Sequence, residues 1–430
     1  MTIRQALRQS KPLRLCSPLD YGGIYLIYQA YSRNESILDL IRPLAAATGK
    51  ALCLPWPLLR LDWSIRKFGG VLETFGDLAV THERLPFGIA SVAMGNCLVP
   101  VTEESTYSTP FATLLHFRKE TEATQPRVLL VAPMSGHFAT LLRATVKTML
   151  VDHDVYITDW HNIRDVPLSE GRFDFSGFVD HVIKFLQVMG PGSHVIAVCQ
   201  PCVPVLAAAA LMAQDGDEAQ PRSMTLMAGP VDTRINPTKV NELANERPIE
   251  WFERKLVYDV PLGYKGALRS VYPGFMQLAA FLSMNLERHL RSFDDMAEAR
   301  AANDLTKLQV IQTFYEEYFA VMDLPAEFYL ETVKAVFQDH LLALGKLKVH
   351  DRLVEPRAIR RTALLTVEGE RDDICGLGQT LAAQDLCSGL RQHMKLHRVQ
   401  TGVGHYGVFS GRRWNNEVYP VVRDIIQMSN

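Results

Sequence analysis

The stretch that decides the fold is HVIAVCQPCVPVLAAAALMA, residues 194–213. His194–Val198 reads as a buried strand, Cys199 and Gln200 as a turn, and the spacing from Pro201 onward as a helix. Proline suits the first helical turn, because the N–H it lacks would be unpaired there anyway. A strand-turn-helix with cysteine at the turn lifts the side chain above the sheet. It also sets the thiol beside unpaired N–H groups and the positive end of the helix dipole, which favour a thiolate and an oxyanion. The window Ala197-Val198-Cys199-Gln200-Pro201 carries Ala and Pro where such nucleophile elbows usually carry glycine. On this window alone, a catalytic thiol and an inert buried cysteine are equally consistent. Cys202, one turn into the helix, reads as core.

Working outward, the same rhythm repeats. RVLLVAP (127–133) is a strand ending in a turn, and FATLLRATVKTMLVD after it has helical spacing. DVYITDW (154–160) is a strand, FSGFVDHVIKFLQVMG (175–190) an amphipathic helix closed by Gly190, and SMTLMAG (223–229) a strand. Strands that are apolar throughout and alternate with helices predict an α/β chain, a mostly parallel sheet with helices on both faces. After Pro237 the pattern changes to helix-forming, aromatic- and methionine-rich sequence with no convincing buried strand over 238–350. Strands resume at ALLTVEGE (363–370) and KLHRVQTG (395–402), with a last helix near 418–428. The expected organisation is four-part. Residues 1–125 form an N-terminal helical region and edge strands, and 126–237 the first part of the core. Residues 238–355 form a helical cap insertion, and 356–430 the second part of the core. An insertion that long most often covers an active site.

Composition excludes several classes. The 430 residues carry 45 basic and 47 acidic side chains, a balance that argues against nucleic acid. Seven scattered cysteines imply no disulfide framework and a reducing compartment, expected to be the cytoplasm. The basic N-terminus MTIRQALRQSKPLRL lacks the apolar core of a secretory signal. Uncharged Val195–Ala213 is broken by Gln200, Pro201 and Pro204, so no transmembrane span is expected. No P-loop, dinucleotide fingerprint or metal-ligand spacing occurs, so neither a metal nor a bound cofactor is expected. A homo-oligomer is compatible with the sequence.

Folds built on such an elbow bring the nucleophile, an acid and a histidine in that chain order, the last two after late strands. VEGERDDIC places Asp372 and Asp373 after one late strand, and TGVGHYGVFSG places His405 after the last, among Gly402, Gly404 and Gly407. Asp372 is preferred as the acid. Asp373 alternatively caps the following segment, and Asp159 and Asp232 are rivals at other strand ends. The oxyanion would meet the N–H of Gln200 and that of Met134 or Ser135, with His137 a candidate for the pocket wall.

Taken together, VLLVAPMSGHFATLLRATVKTML, DVYITDWHN, HVIAVCQP, SMTLMAGPVDTRINPTKVN, LPAEFYLETVKAVFQ and GVGHYGVFSGRRW resemble the intracellular polyhydroxybutyrate (short-chain polyhydroxyalkanoate) depolymerases. The resemblance covers most of the chain. It implies an α/β-hydrolase fold and a Cys199, Asp372 and His405 triad, with Ala197 and Pro201 matching the family's own elbow. It further implies cleavage of amorphous poly(3-hydroxybutyrate) at the surface of cytoplasmic storage granules. A thioester acyl-enzyme would be released by water or by coenzyme A as co-substrate. Contact with an insoluble polymer calls for apolar side chains, for which Tyr264, Tyr272, Phe275, Met276, Phe281 and Met284 of the insertion are candidates. Two other readings stand beside this one, a polyhydroxyalkanoate synthase-like acyltransferase and an inactive granule-coat protein. Ala197, Pro201 and Cys202 depart from the glycine-flanked synthase box, and the intact Cys, Asp and His speak against an inactive coat.

Overall fold

The computed structural model describes residues 18–54, 62–284 and 286–430; the basic stretch 1–15 and Cys16 lie outside them. Nine strands form one sheet. They are β1 (Ser91–Met94), β2 (Cys97–Ser108), β3 (Ala112–Lys119), β4 (Arg127–Val131), β5 (Asp154–Trp160), β6 (His194–Val198), β7 (Ser223–Met227), β8 (Ala363–Gly369) and β9 (Lys395–Gln400). Their spatial order is β1-β2-β3-β5-β4-β6-β7-β8-β9. The first three strands run antiparallel, and every pair from β5 to β9 is parallel.

Every residue of β6, β7 and β8 is buried, so both faces of the central sheet are covered. This is why these strands read as continuous apolar runs rather than alternating ones. Helices α1 (Pro18–Cys53) and α2 (Trp63–Asp77) precede the sheet, and α3 (Arg143–Met149), α4 (Phe175–Met189) and α5 (Cys202–Asp215) cross between its strands. Asp174 caps α4 by accepting the Gly177 N–H at 2.8 Å, and Gly190 ends it at a positive φ that glycine tolerates.

Between β7 and β8 lies the cap, with α6 (Lys239–Glu246), α7 (Ile249–Leu256), α8 (Gly274–Met284), α9 (Leu286–Ala302), α10 (Leu305–Phe319) and α11 (Ala326–Thr332); α12 (Tyr419–Ser429) closes the chain. A mostly parallel sheet, strand-turn-helix connections and a helical excursion after β7 make this an α/β-hydrolase fold. Two details differ from the sequence expectation. The cap region holds short strands, Tyr258–Asp259, Ser270–Tyr272 and Leu324–Pro325, paired with one another. They are too short to show a period-2 pattern. Also, the sequence from Tyr21 to Leu44 reads as a helix, whereas α1 continues through Pro43 to Cys53.

Main chain and one buried acid tie the cap to the core. The Met322 N–H donates to the Gly136 carbonyl at 2.8 Å, and the Val321 N–H to the Thr81 carbonyl at 2.8 Å. The Asp323 carboxylate, fully buried, accepts from the Gly274 N–H at 2.9 Å and from the Tyr28 hydroxyl of α1. Its own N–H donates to Asn162 just after β5 at 3.0 Å. Burial pushes the Asp323 carboxyl above its ordinary range. Removing any one partner would leave a buried polar group unmatched, at a cost of about 1–3 kcal/mol.

Candidate active site

The site is built at the C-terminal ends of β6, β8 and β9. Register places Val198 opposite Met227, and the Cys199 N–H donates to the Met227 carbonyl at 2.8 Å. The chain then turns sharply. Cys199 adopts φ 67°, in the left-handed region that a residue with a Cβ occupies only under strain, and the Cys202 N–H closes the turn on the Cys199 carbonyl at 3.1 Å. The left-handed twist at the apex is what turns the thiol out of the sheet.

The elbow also depends on a glycine that the sequence reading passed over. A Cβ at Gly229, just past β7, would lie 2.2 Å from the Cys202 sulfur, so only glycine lets the two segments close. Of the six described free cysteines, Cys202, Cys375 and Cys387 are buried and burial pushes their thiols up, whereas Cys199 is half-buried.

His405 follows β9 on the loop 401–404, and its Nδ1 lies 2.8 Å from Asp372 Oδ2. The other Asp372 oxygen accepts the N–H groups of Ile374 and Cys375, each at 2.9 Å, which fixes the carboxylate plane. With Nδ1 so engaged, the imidazole's remaining partner is the Cys199 sulfur. Burial alone would lower the His405 pKa. The Asp372 carboxylate and the Cys199 sulfur more than reverse this and hold it well above 6.5. The rival acids are engaged elsewhere, Asp159 with Arg84 at 2.6 Å and Asp232 with Arg234 at 2.8 and 2.7 Å.

Opposite the thiol runs the loop after β4. Among the described residues, no hydrogen bond takes the backbone N–H of Met134, Ser135 or Gln200. Gly136 has φ 92° and packs so closely under α8 that a Cβ there would fall 2.6 Å from Gln277 Oε1. That oxygen and the side-chain amide of Gln200 are buried without a protein partner among the described residues, which leaves both free for a ligand. Neither signal exists in the sequence, since Gln277 is one polar residue in an apolar helix.

His137 lies elsewhere than on an open pocket wall. It is buried, its Nε2–H donates to the Tyr318 carbonyl at 3.1 Å, and its ring stacks near Phe281 and Tyr318. Burial pushes its pKa down to about 4, so it is neutral and tethers the loop to α10. Tyr406, adjacent to His405, was also passed over; it hydrogen-bonds Tyr318, the two ring centroids lying 6.2 Å apart. The candidate apolar residues of the insertion are largely packed inward. Tyr272 is buried against Tyr329, Phe275 stacks 3.8 Å from Tyr31, Met276 packs on the core, and Tyr264 lies under Arg164. A cleft of about 720 Å³ opens beside Asp159 and His161, and another of about 760 Å³ beside Arg222 and Lys395. Cys199 lines neither.

Residues 228–430 match the family described as PHB de-polymerase C-terminus. The matched segment, just under half of the chain, is similar to that family. The match begins just past β7 and takes in the cap, Asp372 and His405, and an ester hydrolase follows as its class. No curated protein matches the chain. Among solved structures, it is similar to a putative lipase from Acinetobacter baumannii AYE, at 13% identity and TM-score 0.43, covering 76% of this chain and 93% of that one. It is also similar to 2-hydroxy-6-oxo-6-phenylhexa-2,4-dienoate hydrolase from Rhodococcus sp. strain RHA1, at 13% identity and TM-score 0.40, covering 76% and 99%. A third is a putative non-heme bromoperoxidase from Mycobacterium tuberculosis H37Rv, at 14% identity and TM-score 0.42, covering 79% and 98%.

Proposed function

We propose that this PHB depolymerase relative cleaves ester bonds of amorphous poly(3-hydroxybutyrate) in cytoplasmic storage granules, with Cys199 as nucleophile. The observation that carries the reading is the continuous line from the Cys199 sulfur through His405 to Asp372, set at a strained elbow. His405 Nε2 takes the thiol proton, and Asp372 stabilises the imidazolium and fixes its tautomer. The sulfur adds to the ester carbonyl of a 3-hydroxyacyl unit. The oxyanion so formed accepts from the free N–H of Gln200 and from that of Met134 or Ser135. Collapse expels the alkoxide, which takes the proton from His405, and leaves a thioester on Cys199. Water, losing its proton to His405, then releases the acid and restores the thiol. Coenzyme A in place of water would give the acyl-CoA instead.

The test is incubation of the purified chain with amorphous polymer particles, with and without coenzyme A, and mass spectrometry of what is released. Soluble 3-hydroxybutyrate units or oligomers are expected, with release at least about a thousandfold slower in Cys199→Ala. Undiminished release from that variant would refute the thiol's role. Polymer growth from 3-hydroxybutyryl-CoA would refute depolymerisation.

A further inference from the structure

Two primary amides at the proposed oxyanion hole have polar atoms that no described residue satisfies. Gln200, the residue after Cys199, has both its side-chain Oε1 and Nε2 buried without a hydrogen-bond partner among the described residues. Gln277, on cap helix α8, has a buried Oε1 in the same condition. An unmatched buried polar group is costly, so an amide left this way at a reacting centre is one that a ligand completes.

The two amides belong to the two segments that supply the oxyanion donors. Gln200 follows β6, and its own backbone N–H is one donor. The other comes from Met134 or Ser135, on the loop after β4, and the two strands are neighbours, with Val131 opposite Ala197. Gln277 lies across the next residue of that loop. A Cβ at Gly136 would fall 2.6 Å from its Oε1, 2.8 Å from its Cδ and 3.2 Å from its Cβ.

The groups around Gln277 are already engaged. The Gly136 carbonyl accepts the Met322 N–H at 2.8 Å, Asp323 holds the Gly274 N–H at 2.9 Å, and His137 is tethered to the Tyr318 carbonyl at 3.1 Å. Its neighbours on α8, Phe275, Met276 and Leu278, pack on apolar side chains.

The chemistry of the polyester limits what can complete these amides. An ester repeat only accepts hydrogen bonds, and so does the carboxylate at one end of the chain. The free 3-hydroxyl at the other end both donates and accepts, as a primary amide does. That hydroxyl is two carbons from the carbonyl of its own unit. With this carbonyl in the oxyanion hole, the hydroxyl falls among the groups that adjoin the donors.

We propose that the side chains of Gln277 and Gln200 hold the free 3-hydroxyl of the acyl unit that Cys199 attacks, so that the chain is shortened one unit at a time from its hydroxyl end. The proposal rests on the ester-cleavage reading of the thiol and names the part of the substrate it selects. The hydroxyl donates to Gln277 Oε1 and accepts from Gln200 Nε2. An interior unit, whose 3-oxygen is esterified, has no hydrogen to give and leaves the Gln277 oxygen unmatched, which disfavours its transition state.

The test uses the linear trimer of 3-hydroxybutyrate and the same trimer with butyryl in place of its hydroxyl-terminal unit, on the wild type, Gln277→Leu and Gln200→Leu. The wild type should cleave the hydroxyl-ended trimer with kcat/KM at least about tenfold above the butyryl-ended one. With the hydroxyl-terminal unit deuterated, the first monomer released should carry the label. Gln277→Leu should bring the ratio to within about threefold by slowing the hydroxyl-ended trimer alone, and Gln200→Leu should narrow it too. Equal kcat/KM for the two trimers in the wild type, an unlabelled first monomer, or an undiminished ratio in Gln277→Leu overturns the proposal. So does an equal slowing of both trimers by Gln277→Leu, the mark of a purely structural residue. The rate at which iodoacetamide alkylates Cys199 beside each trimer reads binding without turnover. If neither trimer is cleaved yet the hydroxyl-ended one alone protects Cys199, the depolymerase reading fails and the hydroxyl site stands.

Discussion

At the scale of the residue, the proposed mechanism turns on a single proton between Cys199 and Asp372. Asp372 spends one oxygen on two backbone N–H groups and the other on His405, so it is rigid before any substrate arrives. Replacing it by Asn keeps the shape but removes the largest influence that raises the His405 pKa and frees the wrong tautomer. Asp372→Asn is expected to lower the His405 pKa in an NMR titration and to cut kcat by about 10³–10⁴-fold. An unchanged titration would show that the carboxylate does not control the ring. Asp373→Asn should leave both readouts near wild type.

The proximity of Asp372 to His405 was legible because each follows a strand end in a sequence whose strands are unmistakably apolar. Gly229 and Gln277 were not legible, since their meaning lies in the approach of Cys202 and Gly136, which are distant in sequence or on another element.

At the scale of the element, the elbow is a compromise between a strained residue and a missing side chain. The φ of Cys199 costs on the order of 1–3 kcal/mol, and it persists only because β6 and α5 are packed on every side. Gly229→Ala would drive a methyl into the Cys202 sulfur at 2.2 Å. A loss of about 1–3 kcal/mol in denaturant unfolding is expected, with a larger proportional loss of activity because the apex shifts. Wild-type activity together with wild-type stability would show that the elbow has room to spare.

The alternating strands and helices of 127–229 were read correctly from periodicity, whereas the first 125 residues were less readable. In α2 the apolar period is present but points to solvent, so the rule that an apolar stripe faces the core gives the wrong side. In the cap, strands of two or three residues are shorter than any pattern can reveal.

At the scale of the whole molecule, four histidines are buried in their neutral form. Burial pushes His82 down to about 3 and His137, His153 and His194 to about 4. A histidine whose folded pKa lies below 6.5 contributes stability that is present above pH 6.5 and lost as the pH falls towards the folded value. Between pH 6.5 and 5 the loss is up to about 2 kcal/mol for each. Asp323 and Glu317 act in the opposite sense, because burial raises their pKa and their protonation in acid relieves a charged group. His405, raised by its neighbours, adds stability at low pH that is lost as the pH climbs through its folded value. Burial raises Glu35, Asp159 and Glu331 as well, and these groups offset part of the histidine loss. Urea unfolding at pH 7 and pH 5 should show a net fall, and equal stabilities would mean that the acids cancel the four rings or that the rings reach solvent without unfolding.

The hydrogen bonds of Met322 to Gly136 and of His137 to Tyr318 have one more consequence. The cap and the loop that carries Met134 and Ser135 thus share one backbone seam, so a substitution that shifts either is felt by the other.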